Sequence, residues 1–265
     1  MPQGTFLDPS LQQGRSSARW RERLPTIVGL MFLVGLVIHN LVDALLTPPY
    51  WLPALGVRMY RLGSGGYWVD PQSLGRLMHN MVRWAGINCI LAIALVLIVS
   101  FWEKRPLTSI GLRMPRSGDI LPAFGALVAF CLIGYAGNRL GSLPNPKVFP
   151  AIYALPWLVR LWMLSEVICE EIMFRGYFIE RAEELTGSMW TAATLSCVLF
   201  GLAHASGWGF GAVFVNAAVG TAYATLYVWR RNLPACMVVH FVTDTPLLWL
   251  PLAPSIWLPR LVGFI

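Results

Sequence analysis

The sequence predicts an all-α, polytopic membrane bundle of about eight transmembrane helices. Three observations predict it. The 265-residue chain is 56% hydrophobic and only 12% charged, against about 25% charged in average globular chains. Its mean hydropathy is +0.59. Several apolar runs reach the roughly 20 residues that a helix needs to cross a bilayer. The alternating ~10-residue segments of an outer-membrane barrel are missing from the sequence, so the helical class stands without a competitor.

Residues 1–24 read as a basic cytoplasmic segment, with Arg15, Arg19, Arg21 and Arg23 just ahead of the first apolar run. That run, 25–46, is long enough to span, and no small-residue cleavage site is evident. An uncleaved first helix with its N-terminus inside is therefore expected, not a signal peptide. Further apolar segments follow at 82–102, 120–138, 151–179, 188–206, 210–229, 233–250 and 252–265. The last is short and carries Pro254, Pro259 and Arg260. These divide the chain into N-terminal membrane helices (25–149), a second set (150–250) that holds the polar motifs, and a C-terminal hydrophobic segment (251–265).

The loop at 47–81 is rich in Pro, Gly and aromatics (Pro48, Pro49, Trp51, Pro53, Gly65, Gly66, Trp68) and is expected at the interface, where Trp and Tyr settle. The segment 103–119 is expected as a cytoplasmic elbow broken by Pro106 and Pro115, its basic residues meeting anionic lipid. Net charge is +7, but the basic residues sit in short loops between apolar runs. Arg15 to Arg23, Lys104, Arg105, Arg113, Arg116, Arg181, Arg230 and Arg231 fall on one side, and fewer fall on the other. That is the bias that orients helices with the N-terminus inside, and it excludes nucleic acid as a partner. The localisation expected is a multi-pass protein of the cell membrane. The cysteines, Cys89, Cys131, Cys169, Cys197 and Cys236, all lie in apolar segments without CxxC spacing, so neither a disulfide framework nor a thiolate metal site is indicated.

Against this background a few charged and polar residues stand out. Glu170 and Glu171 are adjacent in an apolar stretch, with Arg175 one turn on. A charge at mid-membrane costs on the order of 3 kcal/mol and by default marks a functional site. Glu171 and Arg175 are i,i+4 neighbours and can pair, which lowers the cost of burying either. Glu170 is left without a cation of its own and suits a general base; Glu166 lies one turn behind it. Next come Phe200 and His204, again i,i+4. The turn near Gly187 separates the two segments, with Glu170 and His204 each roughly 25 Å of helix from it. An antiparallel hairpin would bring them to one level. The third element is His240 and Asp244, where Asp244 can orient the ring and fix its tautomer. HxxxD alone is weak: His39 and Asp43 match it too. Small residues line the 210–229 helix (Gly211, Ala212, Ala217, Ala218, Gly220, Ala222, Ala224), which permits close packing; Asn216 and Thr221 there are read as packing residues.

EExxxR, FxxxH and HxxxD/N, in that order on successive membrane helices, resemble the CPBP family, the intramembrane proteases related to the type II CAAX prenyl endopeptidase and also called the Abi family. Glu170-Glu171-Ile-Met-Phe-Arg175-Gly176 resembles its first motif, Leu199-Phe200-Gly-Leu-Ala-His204 its second, and Arg231-Asn-Leu-Pro-Ala leading to His240 the approach to its third. The resemblance covers about residues 150–248. It implies about eight helices around a cavity open to the cytosolic side, in which Glu170 and His204 activate a water. His240 and Asp244 take the oxyanion-stabilising positions, and Glu171, Arg175 and Phe200 support the site. The reaction implied is hydrolysis of a peptide bond by direct attack of water. The last position is often Asn in the family and is Asp here. An ionised carboxylate only accepts hydrogen bonds, so Asp244 is expected to orient and charge His240, which then acts alone.

No cofactor is expected. The alternative is Zn²⁺ held by Glu170, His204 and His240, a typical catalytic ligand count, but the HExxH helix of zinc proteases is absent. The partners expected are the lipid bilayer and a peptide or membrane-protein substrate, lipidated or not. Two other functions compete. One is a catalytically inactive peptide-binding or bacteriocin-immunity-type membrane protein. The other is a proton-coupled transporter, which buried Glu and His would suit but which lacks the expected internal repeat.

Overall fold

A computed structural model describes residues 9–46, 59–61, 67–139 and 155–249. Helix α1 runs Pro9–Leu46 and passes through Pro25. It thus begins well inside the basic segment expected to precede the first helix. Its apolar part, Arg23–Leu46, is a candidate membrane span.

A short antiparallel hairpin, β1 (Met59–Arg61) and β2 (Tyr67–Val69), occupies part of the 47–81 region. Helix α2, Pro71–Leu97, follows, and a π-helical turn, Ile98–Trp102, extends it. Residues 71–81, expected as part of the loop, are helical instead. Asp70 caps the helix by accepting from the Ser73 amide at 3.0 Å, and Pro71 is pre-set for the first helical turn. Leu77 then buries one face of that turn.

After two 3₁₀ turns, Leu107–Ile110 and Ser117–Asp119, comes α3, Ile120–Arg139. Helix α4 spans 157–186 in three pieces: α-helical Trp157–Glu170, π-helical Glu171–Ile179 and α-helical Glu180–Thr186. Gly187, in the left-handed conformation at φ 69°, ends it. Ser188 starts α5, Met189–Ala203, by accepting from the Thr191 amide. A single turn, Ala205–Trp208, leads into α6, Phe210–Arg230, and then α7, Leu233–Trp249.

The result is a helical integral membrane bundle. Among the described residues, four helices are long and apolar enough to cross a membrane: Arg23–Leu46, Pro71–Trp102, Ser117–Gly137 and Phe210–Arg230. Met189–Ala203 and Leu233–Asp244 are shorter apolar helices. The segment 252–265 lies outside the described residues. Helices α4 and α5 form the antiparallel hairpin expected around Gly187; α5 packs along α6, and α7 closes against α4, α3 and α6. Helices α5 and α6 approach closely at Gly201, where a Cβ would lie 2.5 Å from the Val213 carbonyl oxygen and 2.8 Å from Ala217 Cβ.

At one end of the bundle the segments 103–119, 180–186 and 230–232 gather into a belt of ion pairs. Glu103 accepts from Arg181 Nε at 2.9 Å and from the Tyr177 hydroxyl at 3.1 Å. Arg231 reaches Glu180 at 2.6 Å and Glu183 at 2.9 Å, and Arg230 meets Asp119 at 2.6 Å. Arg105 pairs with Glu184, and Arg113 donates to the Arg230 carbonyl. Two basic residues of the elbow, Arg105 and Arg113, thus hold protein partners. Arg181 is buried, although its sequence context reads as a charged helix end leaving the membrane.

Candidate active site

The π-helical stretch begins at the residue after Glu170. Five-residue hydrogen-bonded turns widen a helix, and they recur at functional sites. Here they let two consecutive carboxylates address the same imidazole. Glu171 Oε1 accepts from His240 Nδ1 at 2.9 Å, while Glu170 Oε2 lies 3.9 Å from His240 Nε2. Glu170 Oε1 lies 3.8 Å from His204 Nε2 on α5. Three helices thus converge on Glu170, and the hairpin brings it level with His204 as the spacing predicts.

Each ring is held by its other nitrogen. His204 is the C-cap of α5, and its Nδ1 donates to the Phe200 carbonyl at 2.7 Å. Neutral His204 therefore keeps a lone pair on Nε2, facing Glu170. His240 Nδ1–H is taken by Glu171. The orienting bond expected of Asp244 is thus made by Glu171, across the helix interface. Asp244 Oδ2 stands 3.7 Å from Nε2, beyond a hydrogen bond but close enough to counter a charge on the ring.

Glu171 and Arg175 form the expected brace, 3.0 Å apart and both fully buried. The approach is not aligned as a hydrogen bond, and the guanidinium nitrogens find no acceptor among the described residues. Aromatic faces take up the charge instead: the guanidinium carbon sits 4.0 Å from the centre of the Phe200 ring and 5.1 Å from that of Tyr223, an arrangement that grows stronger when dry. Phe200 also packs edge-on to Phe174 and tilts against His204.

A cavity of about 90 Å³ opens at Glu170 and His204, lined also by Asn40, Asn88 and Glu166 among apolar neighbours that include Trp84 and Phe174. A water needs only ~10–15 Å³ of such space together with polar partners, so the cavity is large and polar enough to hold one. Asn88 Nδ2 donates to Glu166 at 3.4 Å.

Some of these neighbours carry no sequence signal. Tyr223 stacks on His240 with ring centres 4.6 Å apart, and its hydroxyl meets Thr243, which in turn donates to the His240 carbonyl. A tyrosine amid the small residues of α6 was the one available hint. Asn40 and Asn88 belong to none of the motifs read from the sequence. By contrast Asn216 and Thr221 bond back to carbonyls of their own helix, as packing residues do. His39 is exposed, so the His39/Asp43 match does not join the site.

Among the described residues no three His, Cys, Asp or Glu side chains gather in a set able to hold a metal ion. The five cysteines are free; Cys89 and Cys169 touch, sulfur to sulfur, at 3.2 Å.

No curated protein and no solved structure matches the chain. Residues 152–246, which span α4 to α7 as far as the Asp244 turn, match the family model described as type II CAAX prenyl endopeptidase Rce1-like.

Proposed function

We propose that this protein is an intramembrane endopeptidase that hydrolyses a peptide bond with a water activated by Glu170 and His204. The observation that carries the reading is the Glu170 carboxylate set 3.8 and 3.9 Å from the Nε2 atoms of two imidazoles, beside a polar cavity. A water bonded at about 2.8 Å to both Glu170 and His204 Nε2 has two acceptors and no donor. Its lone pairs are then free to attack a carbonyl carbon. Glu170 takes the proton as the bond forms and returns it to the leaving amine. His240, in the imidazolium form countered by Glu171 and Asp244, donates from Nε2 to the oxyanion of the tetrahedral intermediate. Glu171, Arg175 and Phe200 hold these groups in register.

The reaction needs no metal in this scheme. Glu170 has a defined task as the base, and His240 Nε2–H as the donor to the oxyanion. The substrate proposed is a peptide or membrane-protein segment, lipidated or not, and the bilayer is the protein's medium. The belt of ion pairs faces the cytoplasm and the N-terminus lies inside, as the Lys/Arg bias implies. Protease protection of an N-terminal tag in sealed inverted vesicles would contradict this orientation.

Cleavage-site profiling by mass spectrometry, with the purified protein on a proteome-derived peptide library, tests the chemistry. Glu170→Gln is expected to abolish cleavage while the protein stays expressed and folded, and a chelator is expected to leave wild-type cleavage unchanged. Full activity in Glu170→Gln would end the water-activation scheme. A wild-type protein that binds peptides but cuts none would favour the peptide-binding alternative.

A further inference from the structure

We infer that Asn40 of α1 belongs to the active site, as the positioning residue of His204. It lies outside the segment that matches the family, on a helix whose single motif-like pair, His39 and Asp43, does not join the site. Its side chain is 1% exposed. Nδ2 donates to the Ala203 carbonyl at 3.1 Å, across the interface between α1 and α5.

That carbonyl is the last of α5. The final carbonyls of a helix have no partner inside it, and His204 is the residue that ends this one. The His204 amide turns back to Gly201, and its ring bonds back to Phe200. The other hydrogen bonds made by this histidine among the described residues are local to its own helix end. Asn40 fixes that end from outside, on the peptide unit directly preceding His204.

The second observation concerns the other half of the amide. Only an N–H can meet a carbonyl, so the amide's orientation is set. Its Oδ1 is buried and makes no hydrogen bond among the described residues. Asn40 lines the same cavity as Glu170 and His204. Leaving a buried amide oxygen without a protein partner is unfavourable, and a purely packing residue would not require it. It gives the cavity wall an acceptor for a water or for a peptide N–H of the substrate.

This inference rests on the reading of Glu170 and His204 as the water-activating pair, and its test has an arm that does not. Purified wild type, Asn40→Ala, the isosteric Asn40→Asp and Asn88→Ala are treated with diethyl pyrocarbonate in micelles. Labelling at each histidine is read by peptide mass spectrometry. Both Asn40 variants are expected to speed labelling of His204 about threefold or more, because its helix end opens locally, with His240 unchanged. Asn88 lines the cavity from α2 and donates to Glu166 on α4, so Asn88→Ala should leave His204 as in wild type. On the peptide library the Asn40 variants should cut roughly 10–100-fold more slowly, the scale of a small misplacement of a reacting group. His204 labelling that stays at the wild-type rate in Asn40→Asp overturns the inference, as does a lowered melting temperature without that change. Activity surviving in Glu170→Gln would remove the water-activation scheme, yet the labelling would still decide whether Asn40 positions His204.

Discussion

One oxygen of Glu171 serves two partners, the ring of His240 at 2.9 Å and the guanidinium of Arg175 at 3.0 Å. The ring of His240 is thereby anchored to the Glu171–Arg175 brace. With Nδ1 held by Glu171, the tautomer and plane of His240 do not depend on Asp244, which is a third exposed and only ionically close. Asp244→Asn is therefore expected to keep kcat within about threefold of wild type, whereas His240→Ala should lose ~10²–10³, the usual cost of removing an oxyanion donor. Single-turnover cleavage rates of the two variants check this. A collapse in Asp244→Asn equal to that in His240→Ala would show that Asp244, and not Glu171, governs the ring.

At the scale of elements, the site depends on how closely α5 and α6 approach. Gly201 lies one turn before His204, and a methyl group there would meet backbone and Cβ atoms of α6, neither of which can swing aside. Gly201→Ala should cost about 1–3 kcal/mol as an overpacking change and reduce cleavage by displacing His204. Gly125, in the middle of α3, has nothing within 4 Å of its missing Cβ. Gly125→Ala should therefore be neutral or slightly stabilising, since Gly in a helix interior costs ~1 kcal/mol relative to Ala. Thermal melts in micelles separate the two cases. The sequence made part of this legible. The Gly187-Ser188 turn and equal arm lengths place Glu170 beside His204, and i,i+4 spacing predicts the Glu171–Arg175 pair. Three features were not legible. The π-helical stretch has no Pro or Gly to announce its start. The Asp70-Pro71 helix start lay hidden among loop-like residues. The bond from Glu171 to His240 joins residues far apart in the chain, which only tertiary packing can bring together.

For the molecule as a whole, charge is concentrated in two places with different tasks. The site holds Glu170 and His204 at the cavity and buries Glu171, Arg175 and His240 between helices. The belt at the end of the bundle ties 103–119 to the ends of α4 and α6, and Arg181 sits roughly 16 Å along α4 from Glu170. Within the belt, burial sorts the pairs. Glu103 and Arg181 are 2% and 1% exposed, while Arg105 and Glu184 are each 40% exposed. A buried charge that loses its partner costs about 3–5 kcal/mol, but an exposed pair contributes about 0–1 kcal/mol. Glu103→Gln should accordingly lower the unfolding free energy by several-fold more than Arg105→Ala. Replacing both Glu103 and Arg181 with uncharged residues of similar size should recover much of the loss, because no stranded charge remains. Because the belt and the site occupy different levels of the bundle, cleavage per folded molecule should stay constant through this series. Denaturation in micelles, paired with active-site-normalised rates, measures both quantities on the same samples. Equal destabilisation by Glu103→Gln and Arg105→Ala would mean that the belt is solvated throughout, and a falling normalised rate would mean that belt and site move as one unit.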